Sequence, residues 1–142
     1  MVNIDAAVFS QSQRLGIGIV IRNHMGVEVN PELAEAIAMR CAMEFAEEAG
    51  FQSIVVASDC EILVTKVKNV AMDRSRIGAI TFDIKSRASK FVSCLFTHIN
   101  RPCNEAAHVL ARSFEHDCGS CWFNVVPGVI RTIICNEKSL IE

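Results

Sequence analysis

The chain has 142 residues, 51% of them hydrophobic and 21% charged, with a formal net charge of -2. That composition describes one globular domain with a core of its own and excludes a disordered chain, while the slight negative charge excludes a globally basic surface. No apolar run approaches the ~20 residues of a membrane helix and no secretory signal is read at the start, so an intracellular protein is expected, cytoplasm and nucleus not distinguished.

In chain order, residues 2–8 alternate as a strand, and residues 15–22 form a second strand rich in β-branched side chains. A turn follows at Asn23-His24-Met25-Gly26, after which Val27-Glu28-Val29 supplies only a stub of a third strand. Asn30 and Pro31 make a good helix start, and Gly50 supplies a left-handed stop, which predicts a helix to about Ala49. Its expected buried stripe is Leu33, Ala34, Ile37, Ala38, Cys41, Ala42 and Phe45. Residues 53–58 read as a short buried strand, 60–68 as a short helix, and 76–90 as a helix with the stripe Ile77, Ile80, Ile84 and Ala88. Residues 91–98 alternate as a strand and 104–114 form a helix. Trp122, Pro127 and the run from Val129 to Ile134 predict one more packed element. The order implies a mixed α/β sheet with helices packed on it.

Seven cysteines, Cys41, Cys60, Cys94, Cys103, Cys118, Cys121 and Cys135, are odd in number and scattered. They read as reduced thiols; Cys118-Gly119-Ser120-Cys121 lacks the second pair that a structural zinc site needs. Between Lys66 and Lys90 stand seven basic residues against two acidic ones. Such a segment is either a phosphate-contacting surface or a solvated helix face.

Three carboxylates stand out. Asp5 lies in the extended opening Val2-Asn3-Ile4-Asp5-Ala6-Ala7, where a carboxylate without a partner is costly. Glu35 lies in the first turns of the long helix, and Asp59 closes the apolar strand Ile54-Val55-Val56-Ala57-Ser58. Taken alone, Asp59 is either a ligand or the cap of the following helix. Further on come Thr97-His98-Ile99-Asn100-Arg101-Pro102 and then Asn104-Glu105-Ala106-Ala107-His108-Val109-Leu110-Ala111.

In order, context and spacing these segments resemble the ribonuclease H-like superfamily, above all the reverse-transcriptase-like ribonuclease H domains abundant in plants. The resemblance runs over about residues 2–111 and implies one domain, 1–142, with a core of about 2–114 and a C-terminal extension of about 115–142. It implies the ribonuclease H-like sheet, here with its third, edge strand shortened or missing. It also implies that Asp5, Glu35 and Asp59 hold a pair of Mg²⁺ ions, Mn²⁺ being a possible substitute. His108 stands where relatives usually have an aspartate and would be an auxiliary ligand or proton carrier. His98 stands where the family has a mobile histidine that assists the reaction. The expected activity is hydrolysis of the RNA strand of an RNA–DNA hybrid. Hydrolysis of a phosphodiester needs an activated water and a stabilised leaving oxygen, which paired metal ions on clustered carboxylates supply together.

Two departures keep other readings open. Ala6 follows Asp5 where active relatives have glycine, and the arm between the second strand and the long helix is reduced to residues 27–30. A catalytically weak nucleic-acid-binding module is one alternative. A non-catalytic interaction remnant, self-associating through an exposed second strand, is the other.

Overall fold

The structure is a computed structural model that describes residues 2–9, 14–21, 31–113, 121–123 and 127–139. Among them lie five strands and five α-helices. The strands are β1 (Val2–Phe9), β2 (Arg14–Ile21), β3 (Ser53–Ser58), β4 (Ser93–His98) and β5 (Cys121–Phe123). The helices are α1 (Pro31–Glu48), α2 (Glu61–Lys68), α3 (Gly78–Ala88), α4 (Glu105–Ser113) and α5 (Gly128–Ser139), with a 3-10 turn at Arg101–Asn104 before α4. The expected turn at 23–26, strand stub at 27–29, Asn30 cap and Cys118 lie outside the described residues.

The chain forms two compact units. One comprises Met1–Arg22 with Asn100–Glu142, the other Asn23–Ile99. In the first, β1 pairs antiparallel with β2, placing Asp5 opposite Gly18. On its other edge β1 pairs in parallel with β5, from Ala6 opposite Cys121 to Val8 opposite Phe123. Among the described ladders the parallel neighbour of the Asp5 strand is β5, whose backbone supplies the partners an open strand edge requires. Helix α4 packs on β2 and β1, and α5 packs on α4. Leu110 and Ile130 are fully buried there, with Ala106, Val109, Ile133 and Ile134 packed around them. The packed C-terminal element expected from Trp122, Pro127 and the apolar run is therefore present as β5 and α5.

In the second unit α1 lies against α3, α2 and β3, and α2 packs on α3 and β4. Strands β3 and β4 run parallel, from Ser53 opposite Ser93 to Ser58 opposite His98. The core consists of Ala36, Met39, Met43 and Ala46 of α1 with Leu63, Val64, Val67, Ile77, Ile84 and Phe91. Of the stripe expected on α1, only Cys41 is fully buried. Small and apolar residues stand on several faces of that helix between its six charged ones, so periodicity alone does not select the face that meets α3. Strand β3, expected to be buried, alternates between covered and open positions, with Val55 64% exposed and its β4 partner Leu95 60% exposed. Helix α1 ends as its sequence dictates. Gly50 has φ 78°, its N–H bonds to the Glu47 carbonyl at 3.0 Å, and the Phe51 N–H bonds to the Ala46 carbonyl at 3.0 Å. This pair of bonds satisfies carbonyls that the helix end leaves open. The described thiols Cys41, Cys60, Cys94, Cys103 and Cys135 are free, and burial pushes the Cys94 thiol pKa up.

Candidate metal centre

Strand β3 delivers Asp59 one residue beyond its buried end at Ser58. The Ser58 hydroxyl accepts the Cys60 N–H at 3.1 Å, and the Ser58 carbonyl accepts the Ile99 N–H at 3.0 Å. These two bonds fix the backbone on either side of Asp59. The N-cap of α2 is Cys60, with no side-chain cap hydrogen bond, and Asp59 just before it is half-buried. Because Ser58 pairs with His98, the exposed His98 side chain stands at the same C-terminal edge of the parallel pair. In open parallel sheets that edge is the usual place for a ligand crevice.

Helix α1 brings Glu35 to the same end. The turn between α1 and β3 takes only residues 49–52, and the two elements are in contact, so they run in opposite directions. Glu35 lies 13 residues before Glu48, about 20 Å back along the helix at its usual rise. Asp59 lies six residues beyond Ser53, about 20 Å along a strand. The two half-buried carboxylates therefore reach the same level of this unit. Among the described residues no three His, Cys, Asp or Glu side chains form a metal-holding group. In the other unit, Asp5 occupies the middle of β1. There His108 lies exposed in the first turns of α4, on the helix that packs against β2 and β1.

The basic run divides into two kinds of cation. Arg87 donates to Glu44 at 2.8 Å and Glu47 at 3.1 Å, and Lys90 donates to Glu47 at 2.7 Å, tying α3 to α1. Lys66 donates to Glu32 at 2.6 Å, and that carboxylate holds the ammonium pKa above its ordinary value. Lys68, Arg74 and Arg76 are exposed and enter no ion pair among the described residues. Three of the seven cations are therefore spent on internal carboxylates, which pattern and charge counting alone did not reveal.

A family profile described as reverse transcriptase-like matches residues 3–114. Among solved structures the chain resembles RNase H1 from the halophilic archaeon Halobacterium salinarum, with 20% identity, a TM-score of 0.55, and coverage of 77% of this chain and 91% of that one. It also resembles the N-terminal RNase H domain of Rv2228c from Mycobacterium tuberculosis, solved as a fusion with maltose-binding protein. That match has 15% identity, a TM-score of 0.56, and coverage of 79% of this chain and 89% of that one. No match is found among curated proteins.

Proposed function

The chain belongs to the reverse transcriptase-like family, and from that premise we propose that it hydrolyses the RNA strand of RNA–DNA hybrids with divalent metal ions. What supports this reading is that helix and strand lengths bring Glu35 level with Asp59, beyond the end of the β3–β4 pair where His98 also stands. Carboxylate oxygens are the hard donors that Mg²⁺ requires, so the donor set fits the ion. Glu35 and Asp59 would hold it, Asp5 being the third ligand that the family resemblance implies, and Mn²⁺ would serve in its place. Bound there, paired ions supply an activated water and stabilisation of the leaving oxygen. This chain's own groups do the rest. His98 and His108 are exposed imidazoles and would carry a proton. Lys68, Arg74 and Arg76 offer unspent positive charge to phosphates.

The test is a metal-titrated cleavage assay on a labelled hybrid. Mg²⁺-dependent cleavage of the RNA strand is expected, with a loss of at least about 100-fold in Asp59→Asn, the scale of removing a group that stabilises developing charge. Replacing Lys68, Arg74 and Arg76 together by Ala should lower the salt slope of hybrid binding by about two to three. Cleavage that persists in Asp59→Asn, or without any divalent ion, overturns the reading.

One observation favours a second reading, in which the chain associates with another copy. In the order β2-β1-β5, β2 has a ladder neighbour on one side only among the described residues. An open strand edge is a template for pairing. Hybrid binding without cleavage would select a binding module, and association without hybrid binding would select an interaction remnant.

A further inference from the structure

We infer that Lys66 is a positioning residue that sets Glu35 of α1 relative to Asp59 at the head of α2; the inference rests on the proposed role of those two carboxylates. Lys66 stands in the last turn of α2, and its Nζ donates to Glu32 Oε1 at 2.6 Å across 34 residues of sequence. The same ammonium donates to Ser75 Oγ at 3.1 Å and lies 3.8 Å from Asp73 Oδ2. The side chains of Lys66 and Glu32 are 26% and 29% exposed, so the pair is half-buried. It joins the first turn of α1 to the last turn of α2 and to the loop before α3.

Glu32 and Glu35 are three positions apart, on one face of α1. Lys66 therefore turns the face that carries Glu35 toward the helix that begins just after Asp59. A charge-assisted bond of this length fixes direction as well as distance. This contact inside the α1–α2 pair bears on the angle of the start of α1. The Arg87 cluster is a different anchor: it joins α3 to Glu44 and Glu47, about four turns along α1 from Pro31. Loss of Lys66 thus tilts the end of α1 that bears Glu35, whereas loss of Arg87 loosens the other end.

The test is Mn²⁺ binding to the full chain, followed both by the rise in melting temperature and by loss of the free-ion magnetic resonance signal. Lys66→Met and Glu32→Gln should each raise the Mn²⁺ midpoint about tenfold, the lower end of the usual cost of removing a group that orients a ligand. Lys66→Arg, which keeps the cation, should restore it. Arg87→Met should lower the melting temperature of the metal-free protein yet leave the Mn²⁺ midpoint unchanged, separating general stability from positioning. If the parent binds Mn²⁺ and Lys66→Met binds it equally well, the positioning role is overturned while the metal centre stands. If Arg87→Met weakens Mn²⁺ as much as Lys66→Met does, the effect is global stability and the inference also fails. A parent that binds no Mn²⁺ overturns the metal centre and the inference with it.

Discussion

Glu47 shows what a surface carboxylate contributes when two cations converge on it. The hydrogen bond from Lys90 is the largest cause holding its pKa below the ordinary value, with the Arg87 charge assisting. Asp73 is held low chiefly by the hydrogen bond from the Ser75 backbone N–H. A carboxylate depressed in the folded state adds stability above its unfolded pKa and loses it as pH falls through the folded one. The melting temperature should therefore hold from neutral pH down to about 4.5 and then decline as these groups protonate. Neither carboxylate is fully buried, so the decline is gradual and weakens at high salt. Thermal melts of the parent and of Glu47→Gln at several pH values check this, the variant showing the shallower acid limb. A parent curve flat down to pH 3 would refute it.

At the scale of elements, α1 is fixed by its end and by its face. Gly50 sits at φ 78° with nothing within 4 Å of the place a Cβ would take. Gly50→Ala should therefore cost only the backbone penalty, about 1–2 kcal/mol, with no clash added. Ile84 is fully buried in α3 against α1 and α2. Ile84→Ala removes core volume and should cost about 2–5 kcal/mol. Denaturant melts of both variants check the ranking, Ile84→Ala falling further than Gly50→Ala. The reverse order would mean that the α1–α3 contact is not the core described. Ser58 works at this scale too, since one buried residue holds the β3–α2 turn through its hydroxyl and the β3–β4 end through its carbonyl.

At the scale of the whole molecule, one unit is assembled from both ends of the chain, and the C-terminal extension supplies its β5 and α5. No described helix is long and apolar enough to cross a membrane. The outer edge of β2 carries the consequence of the short arm between β2 and α1. Inserting a family-length strand between Val29 and Asn30 should cover that edge and lengthen the tether to Glu35. Self-association in sedimentation velocity is then expected to fall while hybrid cleavage rises, because small displacements of a ligand cost large factors in rate. If the parent is already a monomer and a fast nuclease, and the insertion changes neither property, the short arm has no such role.

The sequence by itself determined the element order, the ends of α1 and the candidate carboxylates, because these are local. Pro31 and Gly50 bound a helix by their own backbone limits, and Ser53–Ser58 is a strand by pattern and length. It also marked an extra packed element, since apolar residues as dense as Val129 to Ile134 require burial. Tertiary structure alone decided which face of α1 is buried, because small and apolar residues stand on several of its faces and only packing, above all against α3, selects among them. It decided that β1 pairs with β5, since a ladder partner can come from any distance along the chain. It also decided which cations are spent. Lys66, Arg87 and Lys90 meet carboxylates 34 to 43 residues away, whereas Lys68, Arg74 and Arg76, equally basic in sequence, remain exposed. Charge belongs to a residue, but its neutralisation belongs to the fold that brings a partner near.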